Sequence, residues 1–161
     1  MIIRDEEPAD IEAIHALVAA AFGSAGEAGL VDQLRRDGDL AISLVAAEGS
    51  TLFGHIAFSR MVAPFPALGL APLAVRPARQ KQGIGAGLIA AGLSRAETAG
   101  WRAAFVLGDN AYYEKFGFDP ALAAGFTCVY AGPHLMARAF NGALPVTTGP
   151  VAYAPAFAAL G

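Results

Sequence analysis

Cysteine is almost missing from this chain of 161 residues: Cys128 stands alone. A lone cysteine excludes an internal disulfide and a cysteine-based metal site. Its surroundings, Phe126-Thr127-Cys128-Val129-Tyr130, read as a strand in which Cys128 is a small, buried or half-buried member. Charge is scarce as well. Asp, Glu, Lys and Arg make up 16% of the residues, against roughly 25% in ordinary soluble domains. The net charge is only -3 and no Lys/Arg stripe occurs, which argues against a nucleic-acid partner. Long apolar runs are lacking too. Two long uncharged stretches, residues 61–75 and 141–161, are each broken by Pro and Gly, and neither holds the roughly 20 continuous apolar residues of a spanning helix. Three histidines, His15, His55 and His134, are scattered and do not suggest a metal site. Near the N-terminus, Asp5-Glu6-Glu7 stand where a signal peptide would need an apolar run. These absences predict one domain over residues 1–161, cytoplasmic, with no membrane partner.

What is present is an alternation of strand and helix patterns. Ile2-Ile3-Arg4 predicts a short first strand. Pro8-Ala9-Asp10 opens a helix, with proline suited to its first turn, and Ile11, Ile14, Val18, Ala21 and Phe22 recur on one face. A second helix is predicted over residues 27–36, burying Leu30, Val31 and Leu34. Strands over 42–47 and 52–59 flank Glu48-Gly49-Ser50, a hairpin signal. Residues 61–66 read as a mobile connection to a strand ending at Leu73-Ala74-Val75. A helix from the glycines at 83–87 to about residue 99 closes at Gly100. Residues 102–107 read as a strand buried on both sides, residues 111–116 as a short helix ended by Gly117, and the remainder as two or three strands.

The chemistry sits in the middle of the chain. Between the strand ending at Val75 and the following helix lies Arg79-Gln80-Lys81-Gln82-Gly83-Ile84-Gly85-Ala86-Gly87. The first N–H groups of a helix have no partner within it, and the helix dipole favours an anion there. Gly83 and Gly85 remove side chains, so those N–H groups can approach a pyrophosphate; Lys81 and Arg79 add positive charge nearby. A Walker loop is excluded because no Gly-Lys-Ser/Thr follows. A dinucleotide fingerprint is a rival, since Gly85-Ala86-Gly87-Leu88-Ile89-Ala90 fits G-x-G-x-x-A and Asp109 lies near the expected distance. Against it, the glycines come well past the strand end, and too little chain remains for a two-half dinucleotide fold.

Gln80-Lys81-Gln82-Gly83-Ile84-Gly85 resembles the phosphate loop of the GNAT family of acetyl-CoA-dependent N-acetyltransferases. Tyr112-Tyr113-Glu114-Lys115-Phe116-Gly117-Phe118 resembles that family's downstream block, at a matching separation. The resemblance runs to about Phe140 and leaves residues 141–161 as a C-terminal extension. It implies a mixed α/β sheet of six or seven strands, splayed at its centre and flanked by about four helices. It implies acetyl-CoA as co-substrate. Leu73, Ala74 and Val75 would pair with the pantetheine arm, and backbone N–H groups of Lys81, Gln82, Gly83, Ile84, Gly85, Ala86 and Gly87, next to Gln80, would hold the pyrophosphate. Asn110 falls near a polar position that contacts pantetheine in the family.

The implied reaction is transfer of acetyl from a thioester to an amine, which demands a neutral amine, a polarised carbonyl and a proton for the leaving thiolate. The resemblance makes Tyr113 the general acid and leaves Tyr112 to core packing. Glu27, at a helix start beside the implied acceptor site, and His55, on a central strand, are candidate bases. Each has an ordinary alternative: a carboxylate complementing a helix dipole, and a hydrogen-bonded core histidine. The acceptor is expected to be a small or protein amine of modest or partly apolar character. A non-catalytic acyl-CoA-binding module is the alternative class. The apolar tail from Val146 to Phe157 is a candidate homodimer contact.

Overall fold

A computed structural model describes residues 1–160. Six strands form one sheet in the order β1 (Ile2–Asp5), β2 (Leu40–Glu48), β3 (Thr51–Arg60), β4 (Ala67–Val75), β5 (Ala103–Leu107) and β7 (Leu135–Ala139). All neighbours are antiparallel except β4 and β5. A crossover therefore separates those two, and it contains α3 (Ile84–Thr98).

Alternation along the strands divides the core into two layers. Leu44, Ala46, Ile56, Phe58, Leu68, Leu70, Ala104, Val106 and Met136 point to one face, where Leu88, Ile89, Leu93 and Ala96 of α3 cover them. Two glycines make this approach close. A Cβ on Gly54 would come within 2.8 Å of Leu88 Cδ1, and one on Gly92 within 2.2 Å of the Phe58 ring. On the other face, α1 (Ile11–Phe22) and α2 (Gly26–Asp37) cover Val45, Ala47, Leu52 and Ala74. Further along, Phe65, Phe126, Leu144 and Val151 cover Ala67, Ala103, Phe105 and Ala137.

The short elements after β5 are α4 (Asn110–Tyr113), α5 (Pro120–Ala123), β6 (Phe126–Thr127) and β8 (Gly149–Pro150). The mixed six-stranded sheet expected from the sequence is present. Two expectations need correction. Residues 61–66 are anchored, because Phe65 is buried and Val62 bridges to Ala152. The strand expected over 126–130 stops after Thr127, where a turn bonds the Ala131 N–H to the Cys128 carbonyl. The apolar tail packs within the chain: Ala154, Ala156 and Phe157 lie against Leu30 and Leu34 of α2, while Val146 stays exposed. No helix of the described residues is long and apolar enough to cross a membrane.

Candidate active site

The sheet opens at its middle. β4 and β5 pair only at Ala67, Leu68 and Gly69, opposite Ala103, Ala104 and Phe105. From Leu70 onward, β4 continues to Val75 with β3 on one side and no strand on the other. A register shift between Ile56 and Phe58 puts one extra residue into β4 around Ala71-Pro72, and such a bulge bends a strand away from its neighbour. Alternate backbone groups on the open edge are thus available to an extended ligand, as an added strand would use them.

At the far end of that edge the chain turns into α3. Gly83 caps the helix at φ +85°, a conformation that suits glycine, and Lys81 takes φ +63°. The first helical bond runs from the Gly87 N–H to the Gly83 carbonyl. The N–H groups of Ile84, Gly85 and Ala86 precede it and face the helix mouth. Leu73, Val75, Lys81, Gly85, Tyr112 and Lys115 border the groove in front of them. A Cβ on Gly85 would stand 3.3 Å from the Tyr112 hydroxyl and 3.6 Å from Leu73, inside this groove.

Other predicted members of the turn have different positions. The Gly87 N–H is used within the helix, and a Cβ there would meet Ile3 at 3.2 Å, so Gly87 serves helix–sheet packing. Gly85 and Gly87 both lie inside α3, not in a tight turn after a strand, which removes the geometry a dinucleotide fingerprint requires. Arg79 turns away to stack on Phe53 at 4.3 Å and to approach Glu48 at 3.7 Å. Gln82 accepts from the Arg79 Nε, and Gln80 donates its amide to the Val75 carbonyl, tying turn to strand. Asn110 is engaged elsewhere: its amide donates to the Pro133 carbonyl, and its oxygen meets His134 Nδ1 at 2.8 Å.

Two tyrosines meet at the opening. Tyr113 lies across Gly108, just past the end of β5; a Cβ on Gly108 would come within 2.6 Å of its ring. Burial pushes the Tyr113 hydroxyl above the usual tyrosine range, so it holds its proton at rest. Tyr112 packs edge-on against Tyr113 at 5.1 Å and carries Lys115 over its ring at 4.9 Å. The core role expected for Tyr112 is therefore partial, because its hydroxyl end borders the groove. Lys115 was missed by sequence reasoning; its place one helical turn after Tyr112, at i+3, was the available signal.

The opposite face of the opening holds a half-open cavity of about 250 Å³. Leu70 and Ala71 of β4, Leu107 of β5, and Tyr130, Tyr153 and Phe157 are among its walls. Tyr153 and Tyr130 also escaped the sequence reading, since nothing local marks an aromatic residue in a loop. The Tyr153 ring rests on Gly69, the last β4 residue paired with β5, where a Cβ would approach within 2.9 Å.

The two candidate bases differ. The His55 ring is wholly buried on the α1/α2 side of β3. Its Nε2 meets Ser43 Oγ at 2.7 Å, and that hydroxyl donates to Glu6 Oε1. A serine has one proton to give, so His55 Nε2 must be the donor to Ser43. Burial pushes its pKa down to about 4. Arg35 completes the network with two 2.9 Å bonds to Glu6. Burial raises the Glu6 carboxyl, but the Arg35 and Ser43 hydrogen bonds outweigh it and hold it below the ordinary range. The one lone pair left on His55, at Nδ1, is buried without a partner, and His55 does not border the cavity. Glu27 sits in the first turn of α2. It lies one turn before Leu30 on the face that continues through Leu34. Those leucines pack into a cluster against which Ala71 and Tyr153 also lie. Glu27 Oε2 is buried and has no partner among the described residues.

Residues 39–120 match the acetyltransferase (GNAT) domain. Over 160 residues the chain is 37% identical to the N-acetyltransferase YhbS of Escherichia coli strain K12, covering 95% of this chain and 96% of that one. The crystal structure of YhbS from Escherichia coli in complex with CoA superposes with a TM-score of 0.90 at 35% identity, over 98% of this chain and 91% of the other. A GNAT family acetyltransferase from Brucella melitensis in complex with acetyl-CoA superposes with a TM-score of 0.83 at 38% identity, over 97% of each chain.

Proposed function

The chain belongs to the GNAT family of acetyltransferases, and from that premise we propose that it moves the acetyl group of acetyl-CoA directly to an amine within a ternary complex, residues 1–161 acting as one domain. The observation that carries this reading is the opening between β4 and β5: a free strand edge with a helix mouth at one end and Tyr113 on its rim. The open edge around Leu73, Ala74 and Val75 suits the amide groups of a pantetheine arm. The N–H groups of Ile84, Gly85 and Ala86, with Lys81 and Lys115 beside them, suit a diphosphate.

In this reading Glu27 accepts the proton that an ammonium acceptor must lose, directly or through water. A free alkyl amine is protonated at neutral pH, its pKa being about 10.4, so a base is needed. The buried, unpartnered Glu27 Oε2 supports that role better than His55, whose free Nδ1 sits on a wholly buried ring with a pKa pushed down to about 4. The neutral amine attacks the thioester carbonyl, and a backbone N–H on the open edge of β4 supports the oxyanion. As the C–S bond breaks, the Tyr113 hydroxyl donates its proton to the departing thiolate, and the second proton shed by the attacking nitrogen returns through water to the phenolate. The raised Tyr113 pKa supports this, since the phenol is protonated when the thiolate forms.

Two-substrate steady-state kinetics test the proposal. Direct transfer gives intersecting reciprocal plots and no acetylated protein by intact mass. Parallel plots with an acetyl-enzyme would instead indicate a covalent route. A non-catalytic acyl-CoA binder would bind CoA in calorimetry yet release no thiol with any amine.

A further inference from the structure

Resting on the acetyltransferase reading, we propose that the acceptor is a monoamine with an aromatic body, seated in the cavity between Leu70, Ala71, Leu107, Tyr130, Tyr153 and Phe157.

Position selects the acceptor over the acyl donor as occupant. The groove at the helix mouth lies on the α3 side of the sheet, bordered by Tyr112 and Lys115. The cavity opens on the other side, where Ala71 and Phe157 pack toward α2. The two meet where β4 leaves β5, so a group in the cavity faces a thioester lying along the β4 edge. Glu27 projects from the α2 face that packs against the same wall.

Size and chemistry select the class. A cavity of about 250 Å³ exceeds the ~150 Å³ that accommodates benzene. None of the six named side chains is charged, so a second ammonium, as in a polyamine or lysine-like acceptor, would be desolvated without a counter-ion. The wall is built from ring edges: Tyr130 and Tyr153 pack at 5.5 Å and 83°, Tyr153 and Phe157 at 5.0 Å and 77°. A further ring entering there finds the edge-to-face partners that aromatic groups favour. The Tyr153 hydroxyl is buried and has no partner among the described residues. A hydroxyl left so is costly, and a polar atom carried in by a ligand relieves it.

The test compares 2-phenylethylamine, ethylamine, putrescine and lysine as acceptors with acetyl-CoA, by thiol release. The same amines are then titrated calorimetrically into the CoA-loaded protein. The expected result is a kcat/KM for 2-phenylethylamine at least about tenfold above each of the others, from burial of the ring. In Leu107→Trp and Tyr130→Trp, which fill the cavity from an exposed and a half-buried position, that advantage over ethylamine collapses while CoA affinity is unchanged. Putrescine or lysine matching 2-phenylethylamine overturns the inference. So does an unaltered ring preference in both variants, or a change in the variants confined to acyl chain length when hexanoyl-CoA replaces acetyl-CoA. If the protein binds CoA but not 2-phenylethylamine, the inference fails and the cofactor reading stands. Failure to bind CoA would remove the acetyltransferase reading itself.

Discussion

The ring of Tyr113 lies so close over Gly108 that a single added carbon there would sit 2.6 Å from its Cε2. Glycine at this position lets the phenol settle on the rim of the opened sheet. Replacing Tyr113 by Phe keeps the ring and removes only the proton donor. We expect kcat to fall about 10²-fold, the usual scale for loss of a general acid, with CoA affinity unchanged by calorimetry. Gly108→Ala displaces the ring and should lower kcat in the same assay. Full turnover by the Phe variant, measured on an acceptor that the wild type uses, would end the proton-donor role.

Gly85 and Gly87 look alike in sequence but serve different ends. A side chain at 85 enters the groove beside Tyr112 and Leu73, whereas one at 87 meets Ile3. Gly85→Val should therefore weaken CoA binding at least about tenfold, a loss of roughly 1.4 kcal/mol. Gly87→Ala should leave the affinity near wild type. Equal CoA affinities in the two variants would contradict the assignment of the helix mouth.

Acid should unfold this protein partly through His55. A free histidine titrates near pH 6.5, while the buried ring does not take its proton until about pH 4. Between those values the unfolded chain binds the extra proton. Stability is therefore full above pH 6.5 and drains away as the pH falls toward 4. Glu6, whose carboxyl is held below its ordinary range, acts in the same direction at lower pH. Urea unfolding at successive pH values should show a falling midpoint across this window. His55→Leu should flatten the fall between pH 6.5 and 4, whatever its effect at neutral pH; an unaltered slope would exclude the histidine.

The contact between Gly92 and Phe58 predicts a stability effect remote from the chemistry. Gly92→Ala places a carbon 2.2 Å from the Phe58 ring, and overpacking of this sort costs about 1–3 kcal/mol. Phe58→Leu should recover part of that loss in the double variant. Additive losses in a double-mutant cycle would mean that the two sites do not press on each other.

Much of this was legible in the amino-acid order. The helix from Ile84 and the strand ending at Val75 follow from local pattern and from glycine at a left-handed cap. Tyr113 came from the resemblance of residues 112–118 to the family's downstream block. The rest depends on contacts distant in sequence. Arg79 looked like a phosphate partner until Phe53 and Glu48, on neighbouring hairpin strands, drew it away. The dual nature of Tyr112 required knowing how close Gly85 comes. His55 could not be separated from a base without Ser43 and Glu6, which lie 12 and 49 residues upstream and reach it from β2 and from the turn after β1. Residues 61–66 looked loose because their anchor, the bridge from Val62 to Ala152, comes from the far end of the chain.

Tyr130, Tyr153 and Phe157 reach the parted strands from a length of chain that supplies nothing to the helix mouth. On the proposed acceptor reading, substitutions after residue 128 would retune which nucleophile is welcomed and leave the helix mouth untouched.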